Sequence, residues 1–281
     1  MAAKPQAETR ITMKPRVEMF GMSIDALRLE EAVDQIFRWV ASAEGVCRYV
    51  VTPNVDHAVV FQRHEGLRRA YEKASLVLAD GMPVVLASRL LGRSLPERVA
   101  GSDLAPALFA AASHRRRLRV YLLGAAPGVA ERAAAKIEQT WPAVSVVGTY
   151  SPAPGFEKQP EENRQILERI AAVRPDVLIV GLGAPKQELW LAAHRHEIQA
   201  PAALAIGATI DFLAGERSRA PLWMRAAGLE WLHRLSSEPR RLAGRYARDA
   251  WIFPQLVWRE WRKHPASHSK PLESPSSGAA A

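Results

Sequence analysis

Cysteine is nearly absent: Cys47 is the only one in 281 residues. No internal disulfide can form, which fits a reducing compartment. A lone thiol in an apolar neighbourhood reads as core packing before it reads as a nucleophile. HExxH, CxxC and Walker lysine patterns are missing, and so is the Asp-x-Asp pair of metal-dependent nucleotide chemistry. The eight histidines show no metal spacing. His194 and His196, two apart on a helical pattern, face different ways. No metal or other cofactor is therefore expected. Long apolar runs are missing as well. The least polar window, 198–215, is broken by Pro201 and Gly207 and carries Asp211, so it does not read as a membrane span. The opening MAAKPQAETRITMKPR has no signal-type apolar stretch, so any membrane contact should be peripheral. Lysine, finally, does not occur between positions 208 and 248.

Arginine takes its place. Positions 217–263 hold ten Arg and one Lys against Glu230, Glu238, Asp249 and Glu260, a balance of +7 out of +9 for the whole chain. The first three quarters are nearly neutral. Arg is favoured where a planar fork must grip phosphate, and Trp beside it supplies stacking or an interfacial anchor. An anionic partner is expected at this end. Arg234, Arg241, Arg245 and Arg248 recur at spacings of seven, four and three. They align if one helix carries them, but Pro239 is a potential break, which leaves only the last three as a secure set. They read either as a solvated face or as a phosphate grip. Trp251, Trp258 and Trp261, with Phe253, Leu256 and Val257, form an apolar face that suits either a protein core or a membrane surface.

Before this region, short β-branched runs alternate with helical patterns. Strands are predicted at 48–52, 76–79, 119–123, 144–147, 176–180 and 203–206. Helices are predicted from the first strand to about 74, then at 83–91, 102–114, 128–140, 161–173 and 186–196. Continuous apolar strands separated by helices predict an α/β fold with a Rossmann-like, mostly parallel sheet covered on both faces. A helical Arg/Trp-rich appendage follows. The expected divisions are a flexible segment at 1–17, the core at 18–215, the appendage at 216–263 and a disordered Ser/Pro/Ala-rich tail at 264–281.

Ligands of such sheets bind where strands end. Thr52-Pro53-Asn54 and Asp80-Gly81 lie there, each readable as a helix cap or as a ligand group. An isolated carboxylate after an apolar run is the more pointed signal, because burying it alone is costly. The turn Gly181-Leu182-Gly183-Ala184-Pro185-Lys186-Gln187-Glu188 opens a helix whose free N–H groups favour an anion. Lys186 stands where a dinucleotide fingerprint would have its third glycine, so a nicotinamide cofactor is a poor fit. Helix-dipole compensation explains Glu188. It explains Gln187 less well, and Gln187 is expected to point into the cleft. Asp211 follows the last strand.

Taken in order, several motifs resemble the WecG/TagA/CpsF glycosyltransferases (glycosyltransferase family 26) over roughly residues 18–250. They are Thr52-Pro53-Asn54, Ala79-Asp80-Gly81-Met82-Pro83-Val84, Arg98-Val99-Ala100-Gly101-Ser102-Asp103, Gly183-Ala184-Pro185-Lys186-Gln187-Glu188 and Asp211-Phe212-Leu213-Ala214-Gly215. Arg219-Ala220-Pro221, Gly228-Leu229-Glu230-Trp231-Leu232-His233-Arg234-Leu235, Glu238-Pro239-Arg240-Arg241 and Arg245-Tyr246 complete them. The resemblance implies transfer of a sugar from a UDP-sugar to a polyprenyl-diphosphate-linked sugar, with inversion and without a metal. It implies a cytoplasmic enzyme, peripheral on the inner membrane face, whose appendage closes the site and touches an anionic bilayer. It assigns Asp80 as the base, Thr52 and Asn54 to sugar positioning, and Arg98 to a diphosphate or sugar contact. Gly183, Pro185 and Gln187 would hold the donor and Asp211 its nucleoside. A free Asp has a pKa near ~3.9 and is a weak base. With no Asp-x-Asp pair, Arg234, Arg241 and Arg245 would balance the leaving diphosphate. N-acetylmannosamine, its uronic acid, glucose and glucuronate all stay open as the sugar, as does a homo-oligomer. The rival readings are a nucleic-acid-binding module built on the Arg/Trp end, which leaves Asp80 and Gln187 without a role, and a nucleotide-linked oxidoreductase. With the transferase, no nucleic acid is expected.

Overall fold

The computed structural model describes residues 15–42 and 45–263. Most of the expected lead-in and the tail at 264–281 lie outside the described residues. The chain opens with an antiparallel hairpin, β1 (Arg16–Met19) and β2 (Met22–Asp25), so Arg16 and Val17 belong to a strand and not to a flexible segment. Phe20 and Gly21 form its two-residue turn with φ of 56° and 80°. That is the twist a tight hairpin demands. Asp25 ties the hairpin to the main sheet by accepting from the Val77 N–H at 2.8 Å.

Helix α1 (Leu29–Ser42) buries Ala32, Val33, Ile36, Phe37 and Val40, a three-and-four spacing that puts them on one face. Next come β3 (Arg48–Val51), α2 (Val55–Phe61), α3 (Glu65–Glu72), β4 (Leu76–Val77), α4 (Met82–Leu90) and α5 (Gly101–Ala112). The single helix expected after β3 is thus two, because His64 caps α3 by accepting from the Leu67 N–H. The middle of the chain adds β5 (Leu118–Gly124), α6 (Val129–Thr140), β6 (Val144–Tyr150), a short 3-10 turn at Phe156–Lys158 and α7 (Pro160–Val173). Then follow β7 (Val177–Gly181), α8 (Lys186–His194), β8 (Ala202–Ala205) and α9 (Thr209–Ala214).

The six strands β3 to β8 pair in the order β4-β3-β8-β7-β5-β6, every pair parallel. Alternate residues along each strand enter different cores. Tyr49, Val51, Leu178, Val180, Ala203 and Ala205 pack under α2, α3, α4, α7 and α8. Val50, Val120, Leu122, Val177, Ile179 and Leu204 pack under α1, α5, α6 and α9. Burial on both faces explains the near-continuous apolar strand sequences, and each Val, Leu or Ile among them contributes about 1.5–3 kcal/mol. At the carboxyl ends β5 and β7 come very close. A Cβ on Gly124 would sit 2.5 Å from the Gly181 carbonyl oxygen.

After Gly215 the chain leaves the sheet as α10 (Leu222–Ala226), α11 (Glu230–Ser237) and α12 (Pro239–Lys263). Pro239 starts α12, where its missing N–H is no loss. Arg234 therefore lies on α11, and Arg241, Arg245 and Arg248 on α12. The appendage does not stand apart from the core. Phe253 and Leu256 of α12 are buried, and the Phe253 ring meets Phe20 of the hairpin turn at 5.2 Å between centroids.

Candidate active site

Three motif segments are knitted together by backbone hydrogen bonds. The Leu78 N–H donates to the Val51 carbonyl, Asp80 N–H to Pro53 and Val99 N–H to Ala79, at 2.9, 2.8 and 2.8 Å. Asp80 therefore sits beside Thr52-Pro53-Asn54, and Arg98 arrives next to it. Gly81, at φ 120°, turns the chain from Asp80 into α4 in a conformation that L side chains avoid. Thr52 is buried. Asn54 is the N-cap of α2, its Oδ1 accepting from the His57 N–H at 3.2 Å. The cap reading of Asn54 is thus the one its oxygen fulfils.

Asp80 keeps a partly exposed carboxylate, with Arg98 Nη1 at 4.0 Å. Burial pushes its pKa up to about 6, against the pull of Arg98, Arg234 and His57; Glu230 adds to the rise. A carboxylate so placed is a far better base at neutral pH than a free Asp. Arg98 also donates to Asp103 at 2.6 Å and to Glu230, at the start of α11, at 3.1 Å. Asp103 further accepts from Arg219 at 2.8 Å and faces Arg225 at 3.5 Å. Arg98 is therefore the joint between Asp80 and the appendage.

The second half of the cleft is the β7–α8 turn. Gly183 has φ 79°, and Pro185, the N-cap of α8, follows a cis Ala184–Pro185 bond. Gln187 does not point into an open cleft. It is buried, its Oε1 accepts from the Gly207 N–H at 3.1 Å, and its Nε2 donates to Glu188 at 2.8 Å. Glu188 is the residue that sequence reasoning missed. Its side chain is fully buried, so helix-dipole compensation at a solvated surface does not account for it. Its partner is His57, buried on α2, with Nε2 at 3.3 Å. Asp211, on α9, faces Arg217 at 4.0 Å. Between α9 and α11 opens a cavity of about 360 Å³, lined by Phe212, Arg217, Ser218, His233, Arg234 and Glu238 among others. Arg234 lies over the Phe212 ring at 5.8 Å and is also near enough to Asp80 to lower its pKa. The cavity and Asp80 thus share Arg234.

Residues 17–267 match the profile of the Glycosyl transferase WecG/TagA/CpsF family. The chain belongs to that family. Two relatives from Staphylococcus aureus, strains MW2 and NCTC 8325 / PS 47, carry the same description, N-acetylglucosaminyldiphosphoundecaprenol N-acetyl-beta-D-mannosaminyltransferase. Each is 28% identical over 227 residues, which is 81% of this chain and 87% of the relative.

In this glycosyltransferase the appendage arginines have partners of their own. Arg217 and Arg241 both pair with Glu238. Arg245, at 3.6 Å, and Arg248 both reach Asp56 on the first turn of α2. Arg245 Nε is buried with no hydrogen-bond partner. The apolar face of α12 divides in two. Phe253 and Leu256 turn inward, whereas Trp251, Trp258 and Trp261 are 75%, 54% and 51% exposed. These tryptophans are not core. Trp223, Trp231, Leu232, Leu86 and Leu90 are exposed as well, the last two on the helix that starts beside Asp80. Among the described residues, no helix is long and apolar enough to cross a membrane. Cys47 is buried, and desolvation pushes its thiol up to about 12. It is packing, as its sequence context indicated.

Proposed function

We propose that this glycosyltransferase moves a sugar from a UDP-sugar to a polyprenyl-diphosphate-linked saccharide with inversion, Asp80 acting as base. The observation that carries the reading is Asp80 itself, a carboxylate raised to about 6 at the end of a strand and held beside Arg98. As the acceptor hydroxyl oxygen bonds to the anomeric carbon, its proton passes to Asp80. The bond from that carbon to the UDP oxygen breaks, and UDP departs with the electron pair. Direct displacement inverts the centre. The β linkage in the Staphylococcus relatives' description is what inversion of an α-linked donor yields. That description also supplies the first acceptor and sugar to try, N-acetylglucosaminyl-diphosphoundecaprenol and N-acetylmannosamine. The negative charge that grows on the leaving diphosphate falls to Arg234, Arg241 and Arg245, with no protein-held metal. Gly183 and Pro185 would bring the backbone close to the donor, and Asp211 would contact its nucleoside. Gln187 would act from beneath, by holding the Gly207 loop.

The deciding experiment is UDP release from a panel of UDP-sugars, with a short-chain polyprenyl-diphosphate-sugar acceptor and EDTA. Release from one donor under chelation is expected. No release from any donor, with UDP itself failing to bind, would remove the reading.

The enzyme is further proposed to sit on an anionic membrane through its exposed tryptophans. Aromatic side chains flanked by Arg259, Arg262 and Lys263 suit a headgroup layer. Burying one is worth about 1.5–3 kcal/mol. Replacing Trp251, Trp258 and Trp261 together by Ser should therefore cut co-sedimentation with phosphatidylglycerol vesicles by about tenfold or more. Unchanged sedimentation with unchanged activity would return these side chains to a solvent-facing role.

A further inference from the structure

Beneath the cleft runs a buried polar chain that the transfer step does not use directly. It begins at Asn54, passes through His57 to Glu188, continues to Gln187 and ends on the backbone of Gly207. The contacts are Asn54 Oδ1 to His57 Nδ1 at 2.9 Å, His57 Nε2 to Glu188 Oε1 at 3.3 Å, Gln187 Nε2 to Glu188 Oε1 at 2.8 Å and Gly207 N to Gln187 Oε1 at 3.1 Å. Its members come from the end of β3, from α2, from α8 and from the loop after β8. It thus joins the segments around the base to the turn assigned to the donor.

The protons on this chain follow from its geometry. Asn54 Oδ1 accepts from the His57 backbone N–H at 3.2 Å, so the oxygen and not the amide nitrogen faces the ring. Nδ1 has two contacts that ask for opposite roles, Asn54 Oδ1 at 2.9 Å for a proton and the Asn54 backbone N–H for a lone pair, and the shorter one assigns it the proton. The Asn54 N–H to Nδ1 contact, at 3.4 Å, is the longer and weaker one. A second proton lies on the line between Nε2 and Glu188 Oε1. His57 and Glu188 are therefore a net neutral, doubly protonated pair, written most simply as imidazolium and carboxylate. Glu188 Oε2 and the Tyr71 hydroxyl are both buried without a hydrogen-bond partner. The carboxylate is consequently balanced by His57 and the Gln187 amide alone. A buried charge with so little compensation is retained at a cost.

We propose that Glu188 is a positioning residue: through a protonated His57 it fixes the Asn54 amide, turns its NH2 away from the ring, and keeps a positive charge beside Asp80. This rests on the transferase reading above. The groups that face His57 are Glu188 from α8, Tyr71 from α3, Asp56 on its own helix and Asp80 after β4, with Arg245 and Arg248 of α12 behind Asp56. Burial lowers the His57 pKa, but Glu188, Asp56 and Asp80 together outweigh it and raise the pKa overall. His57 in return helps to hold Asp80 down. In Glu188→Gln the ring loses its counter-charge and its second proton. The ring keeps one proton, which either nitrogen can hold, so the Asn54 amide loses its fixed donor and the positive charge beside Asp80 is gone.

The test is Glu188→Gln in the full-length enzyme, read in two ways. Histidine-labelled protein, with the His57 signal assigned from His57→Gln, should show an imidazolium ring in the wild type at pH 7.5 and a neutral ring in Glu188→Gln. With UDP-sugar and acceptor, kcat should fall about tenfold to a hundredfold, the effect of a misplaced group near the reacting centre. The donor KM should barely move, and the acid limb of the kcat/KM profile should shift above its wild-type position. The double variant Glu188→Gln/His57→Gln strands no buried charge, so it keeps the test open if the single variant fails to fold. Its loss should match that of a single variant. A neutral His57 in the wild type, an unchanged acid limb in Glu188→Gln, or losses that multiply in the double variant would each overturn the positioning role. No turnover in the wild type would instead overturn the transferase reading on which the role depends.

Discussion

Asp80→Asn is expected to lower kcat by about 10²–10⁴-fold while leaving UDP binding intact. Asn keeps the shape and loses the lone pair that accepts the acceptor proton. The wild-type kcat/KM should fall on the acid side with an apparent pKa near 6, because only the ionised carboxylate is a base. In Asp80→Asn that limb should vanish from whatever rate remains. Stability should move the other way. Asp80 has a folded-state pKa raised above its unfolded value, so the folded state binds its proton more tightly. Ionised Asp80 therefore destabilises the fold above pH 6, and the penalty fades as pH falls from about 6 to about 4 and is absent below that. Asp80→Asn should be more stable than the wild type at pH 7.5, by up to about 3 kcal/mol, and no more stable at pH 3.5. Urea titrations at the two pH values check this. A variant that kept full rate would move the base elsewhere.

Arg98→Ala should be nearly as damaging, for a different reason. One guanidinium serves Asp80, Asp103 and Glu230. Its loss removes the largest influence that lowers the Asp80 pKa, so the acid limb should climb well above 6. Turnover at pH 7.5 should drop about 10²–10³-fold, the usual effect of losing one oriented donor. The appendage also loses its tether at Glu230, so limited proteolysis should cut faster between residues 228 and 238. Asp103 keeps Arg219 and Arg225, so the core should still fold. Full activity with unchanged proteolysis would reduce Arg98 to a surface ion pair.

The sheet was legible because its strands are buried on both faces. Val177–Gly181 and Ala202–Ala205 are apolar throughout but for a terminal glycine, and among the described residues no other element of that length reads so. The hairpin at Arg16–Asp25 escaped because Phe-Gly is not one of the usual turn dipeptides and each strand has only four residues. Helix α1 was readable from its apolar spacing, yet no strand or motif drew the eye to it. Asp80 stood out because an acid after an apolar run, though readable as a cap, is costly to bury alone. Glu188 was missed because an acid in the first turn of a helix has a bland explanation, and burial by a histidine 131 residues away leaves no local trace. The same blindness hid the partners of the arginines. Arg98 meets Glu230 across 132 positions and Arg248 meets Asp56 across 192. Periodicity did hold the answer for α12, since positions 253 and 256 lie on the side of a helix opposite 251 and 258. Grouping every apolar residue there as one face discarded it.

The paired arginines change how a charged ligand must bind. Glu238 joins Arg217 to Arg241, and Asp56 joins Arg245 to Arg248. Two carboxylates shared among four guanidiniums leave these cations partly neutralised before any anionic ligand binds. A phosphate that entered would compete with these carboxylates, so association would be in part an exchange of anions. Its free energy is the difference between two similar Coulomb sums. Few solution counterions are released in such an exchange, and affinity then varies with ionic strength much less than the number of arginines would imply.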